Sequence, residues 1–199
     1  MTNKNLFPLT HQKQISEQEK KLARLFLNKE IDLVEDDFYQ KSIERNQALS
    51  SLGTFDQFIC IGCGPIPSTL FAAEKFSMSA ELIGIDLDLE ALVLARQVSE
   101  RLGIEIDFYS SLADIELLMQ RRIYYIANLV VGKKEVLEEI LEREKGLNGE
   151  FVLVVREPTK SGEGHAESLR QKLDLDKFKF ELLGEASEIF HSQNYLIKF

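Results

Sequence analysis

Phe58-Ile59-Cys60-Ile61-Gly62-Cys63-Gly64-Pro65-Ile66-Pro67 decides the fold of this 199-residue chain. The apolar run Phe58 to Ile61 reads as a short strand buried on both faces. It breaks on Gly62 and Gly64, and a helical stretch, Ser68 to Phe76, follows. In open α/β sheets such a strand, glycine turn and helix meet at the carboxyl end of a strand, where ligands bind. Glycines suit that turn because no Cβ stands between backbone and ligand and because a positive φ costs them little. The helix then offers free N–H groups and the positive end of its dipole.

Working outward, the same texture repeats. Leu82 to Leu87 is a second apolar strand, and Leu89 to Leu102 an amphipathic helix with Asp88 as N-cap and Gly103 as stop. Ile104–Tyr109, Ile123–Val131 and Phe151–Val155 are expected as strands. Lys133–Lys145 is expected as a helix, and so is His165–Leu173. Phe178–Leu183 and Tyr195–Phe199 have no good helix between them, so an antiparallel hairpin is expected at the sheet edge. The alternation predicts an α/β, Rossmann-like domain with a mainly parallel sheet and right-handed crossovers. Before it stand two helical stretches. Ser16–Asn28 carries Glu19 at a capping-box position, and Asp36–Ser50 ends at Gly53. Residues 1–13 are polar and expected to be loose. The boundary falls near residue 54, giving a helical segment, 1–54, and an α/β domain, 55–199.

Composition narrows the function. The chain is 44% hydrophobic and 29% charged, the balance of a globular protein rather than a disordered one. No apolar run reaches the ~18 residues of a membrane helix. A net charge of -9 repels phosphate backbones and anionic lipid, so neither nucleic acid nor membrane is the expected partner. Two cysteines and a polar start without an apolar h-region predict a reducing cytoplasm. Cys60 and Cys63 form one C-x-x-C without a second pair, and His11, His165 and His191 are scattered, so no metal site is expected. The Glu138–Glu144 run reads as the wet face of a helix.

The second half of the ligand signal is Asp86, about 20 residues beyond the glycine turn and at the end of the second strand. A carboxylate there can accept both hydroxyls of a ribose, so turn and acid together read as a nucleoside site. The third position of a dinucleotide fingerprint is Pro67 rather than glycine, and no P-loop is present. Both facts favour a nucleoside without phosphate, S-adenosylmethionine. The bland alternative is glycines that only let a helix pack and an Asp86 that only caps the next helix.

On these residues the chain resembles class I S-adenosylmethionine-dependent methyltransferases. The resemblance implies Gly62, Cys63, Gly64 and Pro65 at the amino acid end of the cofactor. It places Asp86 at the ribose, Ser110 and Ser111 beside the adenine, and Leu87 among the cofactor contacts. Many such enzymes carry an acid where this chain has Cys60. The stretch Phe58 to Leu70 is similar to the nicotianamine synthase loop, roughly F-x-G-x-G-P-L-P-L-T, which also lacks that acid. Ala127-Asn128-Leu129-Val130-Val131-Gly132, Val154-Val155-Arg156 and Gln193-Asn194-Tyr195-Leu196-Ile197 resemble further segments of that family. The similarity spans about residues 55–199, and the helical segment is shorter than that family carries.

The resemblance implies transfer of the aminocarboxypropyl arm to an amine or amino acid, with methylthioadenosine released and a small metallophore as product. Ordinary methyl transfer, or a non-catalytic module keeping the fold, are the alternatives. Amine attack needs a base, and the family places a tyrosine and a glutamate in a segment comparable to Tyr39–Arg45. Glu44 is thus the candidate base, against a solvated helix carboxylate. Tyr39 is the candidate hydroxyl, against a core or pocket wall. Arg156, at a strand's carboxyl end, is the candidate clamp for a carboxylate, against a local ion pair. Asn128 and Asn194 are candidate contacts to cofactor or substrate, and Thr159–His165 a candidate lid.

Overall fold

Seven strands form one sheet in a computed structural model of the chain. The structure describes residues 6–117, 121–159, 168–173, 177–187 and 192–198. The strands are β1 (Phe55–Ile61), β2 (Ser79–Ile85), β3 (Asp107–Tyr109), β4 (Arg122–Ile126), β5 (Phe151–Pro158), β6 (Lys179–Ser187) and β7 (Ser192–Lys198). Their order is β3-β2-β1-β4-β5-β7-β6. β1 to β5 run parallel, and β7 is antiparallel to both β5 and β6. This is the expected mainly parallel sheet with a closing hairpin. The last strand in sequence lies inside β6, which takes the edge.

Period-two alternation splits the strand side chains between two layers. Phe58, Cys60, Tyr125 and Val154 face one layer, with Leu70 and Ala73 of α3 (Ser68–Lys75) and Leu92 and Ala95 of α4 (Leu89–Leu102). Ile59, Ile61, Tyr124, Leu153 and Val155 face the other, against Leu137 and Ile140 of α5 (Lys133–Glu144). The N-terminal helices, α1 (Leu6–Leu27) and α2 (Asp37–Arg45), lie outside α3 and α4. Ala23 and Phe26 of α1 and Tyr39 and Ile43 of α2 share a third cluster with Phe71, Leu94 and Val98.

Several elements depart from expectation. Helix α1 starts at Leu6, not Ser16. Pro8 falls in the first turn, where a missing N–H costs no hydrogen bond. The second helix ends at Arg45 and tightens into a 3-10 stretch, Asn46–Leu52. There Asn46 is buried, and its amide donates to the Ser42 carbonyl at 2.9 Å. Strand β4 stops at Ile126. The Ala127 N–H turns back to the Ile61 carbonyl at 2.9 Å, and residues 127–131 leave the sheet toward the carboxyl-end crevice. Strand β3 begins only at Asp107. Of the helix expected over 165–173, residues 168–173 are turns, pinned where the Leu169 N–H donates to Glu157 at 3.0 Å. Residues 160–167, which hold most of the expected lid, lie outside the described residues.

Candidate functional site

Strand order reverses between β2-β1 and β4, so the carboxyl ends of β1 and β4 diverge and leave a crevice. The glycine turn fills its floor. Gly62 and Gly64 have φ of +75° and +68°, the left-handed region that side chains disfavour. The Gly62 and Cys63 N–H groups both donate to the Ile85 carbonyl, at 2.8 and 3.0 Å, tying the turn to β2. A Cβ on Gly62 would lie 2.4 Å from Val130 Cγ2. Gly62→Ala therefore meets both a backbone penalty and a clash. It should lower stability by roughly 2–3 kcal/mol, read as a fall in the denaturation midpoint.

Asp86 sits where β2 ends. Its Oδ2 accepts from the Gly64 N–H at 2.9 Å and its Oδ1 from the Asp88 N–H at 3.0 Å. Each oxygen keeps a second lone pair for a ligand. Burial pushes its carboxyl up from the ordinary range, and the two N–H donors pull it back. Beyond the turn opens a cleft of about 750 Å³, walled by Gly62, Gly64, Pro65, Leu87, Ser110 and Ser111. Leu87 is 87% exposed, an uncommon state for a leucine and one a flat apolar ligand would relieve.

A second cavity, about 290 Å³, adjoins the first. Its walls include Tyr39 and Arg45 of α2, Ser68 at the start of α3, Asn128, and Arg156 of β5. Among the described residues, Glu19 of α1 and Leu129 line both spaces. Glu19 Oε2 lies 3.3 Å from where a Gly64 Cβ would be, so its carboxylate hangs over the second glycine. Removal from water raises the Glu19 carboxyl to about 7. Asp86 raises it too, while Arg156 and Arg45 oppose. A group at that value takes and returns protons near neutral pH.

Arg156 is buried and held by neutral groups. It donates to Asn46 Oδ1 at 2.9 Å and to Asn194 Oδ1 at 3.3 Å, and stacks 5.2 Å over the Tyr125 ring. The Tyr125 hydroxyl donates to the same Asn194 oxygen at 2.8 Å. Among the described residues no carboxylate pairs with Arg156. Arg45 faces the same cavity and donates to Ser42 Oγ at 3.1 Å. Burial lowers it to about 9, and repulsion from Arg156 adds to that. Two crowded guanidinium groups thus face one small space, a setting that an anionic ligand stabilises. Burial raises the Tyr39 hydroxyl to about 12, so it stays protonated and acts as a hydrogen-bond donor.

The expected site residues divide accordingly. Gly62, Gly64, Pro65, Asp86, Leu87, Ser110 and Ser111 line the large cleft. Tyr39 and Arg156 line the small cavity, and so does Asn128, whose buried Oδ1 has no partner among the described residues. Cys63 is on neither wall. Its thiol is packed in the core, near Gly84, and burial pushes it well up. Glu44 is exposed and lines neither space, so the carboxylate brought to the junction is Glu19. Glu19 and Arg45 are the residues that sequence reasoning passed over. The capping-box pattern at Ser16 masked the first, because the helix starts ten residues earlier and leaves Ser16 inside it.

No family model matches the chain, and no curated protein matches it. Solved structures do. A variant of the nicotianamine synthase MtNAS in complex with S-adenosylmethionine superposes with a TM-score of 0.72 at 16% identity, over 98% of this chain and 76% of that one. MtNAS in complex with MTA and tNA gives 0.73 at 16% identity, over 98% and 74%. The plantazolicin methyltransferase BpumL in complex with SAH and a pentazolic desmethylPZN analog gives 0.53 at 15% identity, over 93% and 97%. Together with the strand order, these likenesses show that the chain has the class I S-adenosylmethionine-dependent methyltransferase fold.

Proposed function

We propose that the protein is an S-adenosylmethionine-dependent transferase that moves the aminocarboxypropyl group to the amine of an amino acid. The observation that carries this reading is the junction. The cleft beside the glycine turn and Asp86 and a cavity facing two arginines meet at Glu19, whose carboxyl burial raises to about 7. The likeness to MtNAS, a structure that holds MTA and tNA, supports the aminocarboxypropyl arm.

The residues present fit S-adenosylmethionine. Asp86 offers two free lone pairs to the ribose hydroxyls, and Leu87 with Ser110 and Ser111 provides a face for adenine. Pro67, at the N-cap of α3, removes an N–H that a pyrophosphate would use. When bound, the cofactor supplies a carbon whose bond to sulfur breaks as the amine nitrogen bonds to it, with methylthioadenosine leaving. Glu19 accepts the proton that the amine loses. Arg156 and Arg45 hold the acceptor carboxylate, which turns the amine toward Glu19 and the large cleft. Tyr39, on α2 with Arg45, offers its hydroxyl as a further donor to the same cavity. Substitution at carbon needs little beyond this alignment and a proton acceptor.

Acceptor choice tests the reading. Amino acids should be consumed, and the corresponding amines without a carboxylate should not. Arg156→Met should raise the acceptor KM about 10²-fold, the loss of one charged hydrogen-bonding partner, while cofactor affinity changes less than about threefold. Equal use of amines with and without a carboxylate would contradict it.

A further inference from the structure

Glu19 and Lys20 are neighbours on α1 and point about 100° apart around its axis. Glu19 reaches into the junction, and Lys20, on the wall of the large cleft, reaches the start of α4. Lys20 is 4% exposed, and its ammonium is a hub. It meets Asp88 Oδ2 at 2.6 Å, Glu90 Oε2 at 3.0 Å and Glu17 Oε1 at 3.2 Å. Asp88 caps α4 and donates its own N–H to Asp86, so the hub sits two residues from the ribose acid. The fully buried apolar anchors of α1, Ala23 and Phe26, come later in the helix, with Leu22 half-buried beside them. Among residues 13–22, Lys20 alone is fully buried. The half of α1 that roofs the cleft is therefore fastened to the scaffold through this ammonium.

We infer that Lys20 is a positioning residue, whose clamp on Asp88 and Glu90 holds α1 at the rotation that keeps Glu19 in the junction. This rests on the reading of Glu19 as the proton acceptor. The clamp and the ribose acid share one turn, so a cofactor seated on Asp86 stiffens the same segment that fixes the base. Cofactor binding and placement of Glu19 are then coupled, and the base is in position only when α1 is docked.

The test follows Glu19 itself rather than turnover. Side-chain carboxyl carbons are labelled with carbon-13, and the Glu19 signal, assigned by its loss in Glu19→Gln, is titrated by NMR. The charged groups facing Glu19 are Asp86 just beyond β2, Arg156 from β5 and Arg45 from α2, and none is altered. Lys20→Gln should move the Glu19 midpoint down by about one unit or more, toward the ordinary carboxylate value, as the released helix admits water. Backbone amides of α1 should exchange about tenfold faster. Asp88→Asn breaks the same clamp from the other side while asparagine keeps the α4 cap, and should give the same direction. Lys20→Arg should restore both readouts. Arg24→Gln, which removes only the exposed pair with Glu90, should leave them unchanged. Folded Lys20→Gln and Asp88→Asn proteins with an unshifted Glu19 midpoint and unchanged α1 exchange would overturn the assignment. Neither readout needs cofactor turnover, so a wild-type protein that fails to transfer would count against the proposed reaction and not against the clamp.

Discussion

Glu19→Gln is expected to lower kcat about 10³-fold, within the range a positioned general base contributes. Cofactor affinity should change less than about threefold, because the amide has the shape of the carboxyl and Asp86 is untouched. Single-turnover formation of the nucleoside product, read by mass, checks the first part, and calorimetry checks the second. The wild-type rate should rise as pH passes through about 7, where the Glu19 carboxyl becomes ionised. The variant should lose that rise. Stability should respond with the opposite sign. A carboxyl whose folded value lies above its unfolded one favours the fold below the unfolded value of 4.5, and that contribution is lost as pH climbs through about 7. Glu19→Gln has nothing to ionise there. Without ligand it should melt higher than wild type near pH 8 and match it below about pH 4.5. A base held away from water is thus a cost to the unliganded fold and a gain to the reaction.

Asp86→Ala should weaken S-adenosylmethionine binding by about 10²- to 10³-fold, the loss of two charge-assisted hydrogen bonds to the ribose. The effect has a second source. Asp86 also receives the Gly64 and Asp88 N–H groups, so its removal leaves both donors without that partner and loosens the glycine turn. Asp86→Asn separates the two. It keeps an acceptor oxygen for one of the N–H groups but loses the charge, and should bind more tightly than the alanine variant and more weakly than wild type. Calorimetric titration with S-adenosylhomocysteine orders the three without interference from turnover. Equal binding by all three would place the ribose elsewhere.

The fold was legible where local chemistry and tertiary role agree. The Phe58–Ile61 strand, the turn at Gly62 and Gly64, and Asp86 at the end of β2 each follow from short-range pattern, and each stands where the pattern puts it. Errors fall where a segment leaves its element to serve the crevice. Ala127 to Val131 are apolar enough to extend β4, yet they peel away and give Leu129 and Val130 to the cavity walls. Asn46 reads as helix but is drawn into the Arg156 network, which spans chain positions far apart in sequence. The site shows the same limit. Arg156 stands out in the sequence because it sits at a strand end, and the structure puts it on the wall of the small cavity. Glu19 does not stand out, since its place between the two spaces depends on α1 crossing the crevice, a packing event no local pattern encodes. Glu44 is exposed and lines neither space, because it falls on the outer side of α2 from Tyr39 and Ile43.

The proposed reaction is attack of an amine on the aminocarboxypropyl carbon of S-adenosylmethionine beside Glu19. The most direct measurement is incubation of the protein with S-adenosylmethionine and a panel of amino acids, histidine included, with the nucleoside product identified by mass. Methylthioadenosine above the spontaneous background, lost in Asp86→Ala and in Glu19→Gln, is the predicted result. S-adenosylhomocysteine in its place would contradict the account and make the protein a methyltransferase. Neither product, together with no cofactor binding, would make it a non-catalytic module that keeps the fold.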